Sequence, residues 1–118
     1  MTTTHPADAL AAVERFSRAF DAKDVDAVMA AMTPDCVFED TGPPDGGRHV
    51  GTAAVRTAWE TLFAASPDGV FTTEEVIDAG ERVVTRWRYD FDGGHVRGVD
   101  VFRVRDGLVA EKFSYVKG

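Results

Sequence analysis

Apolar residues recur every three or four positions in the first half of the chain and every second position in the last third. This change of period predicts helices followed by strands. Between residues 8 and 22, Leu10, Val13, Phe16 and Phe20 fall on one stripe of a helix whose other side is polar. Asp24 is placed to cap a second, shorter helix carrying Val25, Val28, Met29 and Met32, and Pro34 is expected to end it. Cys36-Val37-Phe38-Glu39-Asp40 is β-branched and aromatic and predicts a short strand before the turn-rich stretch Thr41-Gly42-Pro43-Pro44-Asp45-Gly46-Gly47. Gly51-Thr52 opens a third helix with Val55, Ala58, Trp59, Leu62 and Phe63 on one face, and Ser66-Pro67-Asp68-Gly69 closes it.

From Val70 the alternation is broken only at Ala79-Gly80-Glu81, Gly93-Gly94 and Asp106-Gly107, which predicts four long strands in a meander. Helices first and strands second is an α+β order and argues against a parallel sheet. With Gly93-Gly94 as a two-residue turn, Asp92 pairs with His95, Phe91 with Val96, Tyr89 with Gly98, Trp87 with Asp100 and Thr85 with Phe102. One face is then apolar, and the other carries Asp90 with Arg97, Arg88 with Val99 and Arg86 with Val101. Carried through the Asp106-Gly107 turn, the count sets Phe102 against Glu111, Asp100 against Phe113 and Gly98 against Tyr115. Glu111 turned inward is discordant and points to a bulge in that turn.

Asp100, flanked by Trp87 and Phe113, is expected to lose hydration, so that its pKa rises and it keeps its proton. The other readings set it beyond the covered part of the sheet, or turn it outward at a bulge to pair with an arginine. Asp40 lies two residues beyond Phe38, on the same side of its strand, and either shares the hollow or simply opens the following turn. Trp59 and Phe63 read as core by default and as lining by position.

Composition narrows the field. The 118 residues, 44% hydrophobic and 28% charged, suit a single globular domain over residues 1–118. A formal charge of −7 opposes a nucleic-acid partner, and Arg82, Arg86, Arg88, Arg97, Arg103 and Arg105 alternate with acids as cross-strand partners would. Cys36 is the single cysteine, which excludes an intrachain disulfide and suits a reducing compartment. Met1 to Asp8 has no basic-then-apolar pattern, and no run approaches the ~20 apolar residues of a membrane span, so a cytoplasmic location is expected. His5, His49 and His95 have no metal-ligand spacing, Asp90-Phe91-Asp92-Gly93 reads as turn chemistry, and no glycine-rich phosphate loop or nucleophile elbow occurs. Neither metal nor cofactor is expected. What remains is the concave side of one domain, holding a small, mostly apolar molecule.

Val37-Phe38-Glu39-Asp40, Gly51-Thr52-Ala53-Ala54-Val55-Arg56 and Asp100-Val101-Phe102-Arg103-Val104 resemble, in that order, the ketosteroid isomerases. These belong to the nuclear-transport-factor-like superfamily together with the SnoaL-type polyketide cyclases. The resemblance implies a cone-shaped barrel of curved mixed or antiparallel sheet wrapped by three N-terminal helices, a deep pocket, and a homodimer formed through the outer sheet face. It assigns Asp40 as the general base that moves a proton between carbons of a ketone, and Asp100 as the protonated acid that stabilises the enolate oxygen. Ketosteroid isomerase is itself the established example of an acid kept neutral by its site, so that role is carried over with the resemblance. The pocket is expected to be lined by Phe16, Met32, Trp59, Phe63, Trp87, Tyr89, Phe102, Phe113 and Tyr115.

Phe16 stands where the isomerases place a tyrosine hydroxyl, and Met32 where some members carry a second tyrosine. Loss of one preorganised donor costs ~3 kcal/mol of transition-state stabilisation, which keeps a non-catalytic ligand carrier or dimerisation module beside the isomerase or cyclase reading. Arg88-Tyr89-Asp90 also resembles part of the Asp-Arg-Asp set of limonene-type epoxide hydrolases, with Ser114 at the position of the third acid.

Overall fold

The computed structural model describes residues 6–117, with side chains from Asp8 onward; the readings of His5 and of the first residues of the Met1–Asp8 segment lie outside the described residues. Helix α1 (Pro6–Asp21) buries Val13, Phe16 and Phe20 of the stripe its spacing predicts, with Ala9 and Ala12 beside them, while Leu10 is half-buried against the core. Helix α2 (Val25–Ala30) begins where Asp24 accepts a hydrogen bond from the N–H of Ala27 at 3.1 Å. It stops short of its predicted end. The N–H of Ala31 already closes the last turn on Ala27 and Val28, so Met32 and Pro34 fall in strand β1 (Met32–Glu39). A three-residue strand, β2 (Arg48–Val50), follows, then helix α3 (Thr52–Ala65) with Val55 and Trp59 fully buried.

The meander is β3 (Val70–Ala79), β4 (Arg82–Phe91), β5 (Gly94–Arg105) and β6 (Leu108–Val116). The six strands form one curved, unclosed sheet in the order β2-β1-β6-β5-β4-β3. Every neighbouring pair is antiparallel except β1 with β6, which run parallel, so the sheet is mixed. The helices pack on its inner face around a cluster of rings: Phe38 and Trp59 have centroids 4.2 Å apart, Phe20 and Trp59 5.5 Å, and Phe16 and Phe102 5.5 Å. Removing a side chain such as Trp59, with no exposed surface, costs about 3–5 kcal/mol.

The first hairpin turns at Asp92-Gly93, one residue before Gly93-Gly94, with Gly93 at φ 86°. Phe91 pairs with Gly94, Tyr89 with Val96, Trp87 with Gly98, Thr85 with Asp100 and Val83 with Phe102. Each partner is displaced by two residues from the expected one. Two residues are a whole side-chain period, so the faces are unchanged. Gly98 is needed opposite Trp87, because a Cβ there would meet the indole Cζ2 at 2.5 Å.

The second hairpin keeps the expected Asp106-Gly107 turn and the Val104–Val109 pair, then shifts by one residue. Val109 and Ala110 are both buried in succession, and from Glu111 onward the strand is inverted. Lys112 and Ser114 now face inward, and Glu111, Phe113 and Tyr115 face outward. A charged Glu111 is thereby kept out of the core. Phe113 pairs with Val101 and Tyr115 with Val99, so the expectation that Phe113 and Tyr115 line the pocket is corrected.

Candidate functional site

The concave face of the sheet, α3 and the end of α1 enclose a hollow of about 550 Å³. Leu62, Phe71, Trp87, Tyr89 and Val96 give it an apolar wall, and polar side chains interrupt that wall, chiefly Asp40 with His49 and Asp100 with Lys112 and Ser114. Of the residues expected there, Asp40, Asp100, Trp87 and Tyr89 line it. Phe16, Met32, Trp59, Phe63 and Phe102 do not. Phe16, Met32, Trp59 and Phe102 are buried behind the wall, and Phe63 packs against Phe20 at 5.1 Å, so these five are support for the lining rings. Phe16 and Phe102 instead border a separate space of about 30 Å³ that also touches Asp100 and Lys112.

Asp40, directly after β1, both opens the turn and lines the hollow, so its two readings hold together. Its Oδ1 accepts the N–H of Gly47 at 2.7 Å and that of Gly42 at 3.0 Å, and its Oδ2 lies 3.1 Å from His49 Nε2. Burial raises the carboxyl pKa, but the N–H donors of Gly47 and Gly42 and the imidazole of His49 outweigh it and hold Asp40 below the ordinary aspartate value. The loop is built for this contact: a Cβ on Gly47 would stand 2.7 Å from Oδ2. His49 reaches the site because β2 pairs Phe38 with His49, and the imidazole stacks on the Phe38 ring with centroids 5.6 Å apart. A strand of three residues leaves no periodicity to read, and His49 was legible only as a neighbour of Asp40 once that pairing was known.

Asp100 points inward from β5 and is 7% exposed, but it is not alone among rings. Ser114 Oγ donates to its Oδ1 at 2.7 Å, and Lys112 Nζ lies 3.5 Å from its Oδ2. The expectation of an uncompensated buried acid is corrected: a cation and a hydroxyl stand against it. Lys112 Nζ also sits 3.3 Å from Ser114 Oγ and within 4.7, 4.9 and 5.1 Å of the ring centroids of Phe20, Phe38 and Trp59. Burial pushes the Lys112 amine below the ordinary lysine range, and Asp100 pulls it partly back. Lys112 escaped the sequence reading because a regular count through the second hairpin turns it outward, and the misplaced Glu111 was the one visible sign.

Arg88 and Asp90 lie on the outer face, paired with each other at 2.9–3.1 Å, and neither lines the hollow. Among the described residues no group of three His, Cys, Asp or Glu side chains gathers to hold a metal ion, and no helix is long and apolar enough to cross a membrane.

The chain matches the SnoaL-like domain over residues 13–112. It is similar to an NTF2-like protein of unknown function from Mesorhizobium loti, with 38% identity, a TM-score of 0.87, and 100% of this chain and 98% of that one covered. A candidate polyketide cyclase from Sinorhizobium meliloti shares 27% identity at a TM-score of 0.78, covering 87% of this chain and 92% of that one. A candidate ketosteroid isomerase from Kribbella flavida has the same fold, with a TM-score of 0.84 at 15% identity over 95% of this chain and 79% of that one. No curated protein matches the chain.

Proposed function

The chain belongs to the SnoaL-like domain family, and from that premise we propose that it binds a small, mostly apolar ketone or enol and moves a proton on it without a cofactor. The observation that carries this reading is the pairing of an apolar hollow of about 550 Å³ with two carboxylates in different surroundings. Ligand pockets commonly span about 300–1,000 Å³ and fix orientation with a few polar groups. Asp40, held ionised by its N–H donors, takes the proton from the carbon beside the carbonyl, and His49 on its Oδ2 steadies the carboxylate. The carbonyl oxygen is directed to the buried end, where Lys112 and Ser114 supply the donors that Phe16 lacks. Trp87 lines the hollow with its ring, while its Nε1–H is buried with no acceptor among the described residues.

The test has two stages. Steroids, polyketide-like ketones and terpenoid epoxides are ranked by thermal shift and quenching of tryptophan fluorescence. The best ketone is then followed by proton NMR in deuterated water. Asp40→Asn is expected to slow exchange at the carbon beside the carbonyl by on the order of a hundred-fold; exchange at the parent rate would remove Asp40 as the base. A carrier without turnover is the second reading, favoured by the three donors already on the Asp40 carboxylate. Binding with no exchange in the parent protein would select it. The outer sheet face, where Tyr115 is 56% exposed, is proposed as the homodimer surface; sedimentation at micromolar concentration giving only monomer would reject that.

A further inference from the structure

Lysine is scarce in this chain, which has three, at positions 23, 112 and 117, and one of them is buried at the polar end of the hollow. Most ammonium groups stay in water, because desolvating the charge is expensive. Lys112 is 5% exposed, yet it is one of the residues lining the hollow, and its Nζ has Asp100 Oδ2 at 3.5 Å, Ser114 Oγ at 3.3 Å and three rings around it. A surface ion pair would serve stability or solubility equally well without entering the cavity. An amine, a proton acceptor beside it and space for a substrate form the minimum set for nucleophilic capture of a carbonyl.

We propose that Lys112 forms an imine with the carbonyl carbon of the molecule held in the hollow. This rests on the reading that a carbonyl compound binds there, and it names the class: unhindered ketones and aldehydes. Asp100 takes one proton from the Lys112 ammonium, the free amine adds its electron pair to the carbonyl carbon as the C=O π pair moves to oxygen, and a further proton passes from the nitrogen to that oxygen. The resulting carbinolamine loses its hydroxyl as water, with the second proton supplied by Asp100, and a C=N bond remains. The ammonium and carbonyl compound have become an iminium and one water, and Asp100 is a carboxylate again. Burial supports the first step by lowering the amine's hold on its proton. The product is still a cation at the same place, so Phe20, Phe38, Trp59 and Asp100 stabilise it as they do the ammonium. An iminium acidifies the neighbouring carbon more than a ketone does, which suits a base as weak as Asp40.

The test is reductive trapping on the full-length protein. Naphthaldehyde with cyanoborohydride should add the mass of the aldehyde less one oxygen atom, and peptide mapping should place the label on Lys112. The exposed Lys117 is the internal standard, and Lys112 should react on the order of a hundred-fold faster because the carbonyl is held beside it. Lys112→Arg, which keeps a cation against Asp100, should lose that label. Label on Lys117, Lys23 or the amino terminus in preference to Lys112 would overturn the proposal, and this mapping needs no variant to fold. Quenching of tryptophan fluorescence by naphthaldehyde without a trapped adduct would overturn the imine and leave the pocket reading standing; neither quenching nor adduct would remove both.

Discussion

The two carboxylates that open onto the hollow are the same chemical group stabilised by opposite means. Asp40 sits in a glycine loop with 38% of its side chain exposed, and main-chain N–H groups hold it. Asp100 sits on a central strand with 11% of its side chain exposed, and an ammonium and a hydroxyl borrowed from the next strand hold it. Backbone donors cannot leave, so Asp40 rests as an anion in a fixed place until it takes a proton from the ligand. Side-chain donors can turn toward a ligand, so the Asp100 end can rearrange. A chain with one kind of acid obtains a fixed carboxyl group and an adaptable one by placing them on a loop and on a sheet.

The comparison breaks most visibly at Lys112. Lys112→Met leaves Asp100 buried with only Ser114, and loss of one partner of a buried pair costs about 3–5 kcal/mol, read as a lower urea midpoint. Adding Asp100→Asn to it should recover part of the loss, because the stranded charge is then gone. The parent protein should also gain stability as pH rises through the lowered Lys112 value toward the ordinary lysine value of 10.5, since the unfolded chain holds that proton longer; Lys112→Met should lack this rise. Ser114→Ala removes one hydrogen bond to a charged group and should cost about 2 kcal/mol in the same unfolding measurement. If Ser114→Ala were neutral, Lys112 alone would carry the buried end.

These two residues are also where the chain was hardest to read. The first hairpin was misplaced by two residues and still delivered Trp87, Tyr89 and Asp100 to the correct face, because side chains on a strand repeat every second position. The second was misplaced by one residue, which inverted β6: Phe113 and Tyr115 were expected inside, and Lys112 and Ser114 are there. A bulge has no composition of its own, and its only trace was a glutamate in the wrong place. Phe16, Met32, Trp59 and Phe102 show a different limit. Periodicity says that a residue faces inward, but whether it touches a cavity or stands one layer behind depends on how the rings stack.

The exposed end is sharpened by a smaller change. Gly47→Ala would bring a Cβ to 2.7 Å from Asp40 Oδ2 and 3.3 Å from His49 Nε2, so the carboxylate must swing off its donors. Overpacking at this half-open loop should cost about 1 kcal/mol. The more telling effect should be on exchange: if the geometry of the Asp40–His49 pair matters, Gly47→Ala slows it while ligand affinity, set by the apolar wall, stays the same. Equal losses in both would mean that the loop is merely a lid on the hollow.

The smallest effect separates the two ends by pH. The folded pKa of Asp40 lies below its ordinary value of 3.8, so the stability it contributes is fully present above that value and is lost as pH falls through the folded one. Asp35, Glu74 and Asp90 are lowered too, each by an arginine partner, so the acid limb of the parent is a sum. Subtraction isolates the term of interest: Asp40→Asn keeps the shape and one acceptor oxygen, and its stability should fall less steeply than the parent's below 3.8 while the alkaline limb set by Lys112 is unchanged. With nearly two-fifths of the Asp40 side chain in solvent the difference is small, and it is best read as a slope across several pH values. Superimposable acid limbs would mean that the N–H donors hold the loop and not the charge, and Asp40 would then be no more an anchored anion than Asp100.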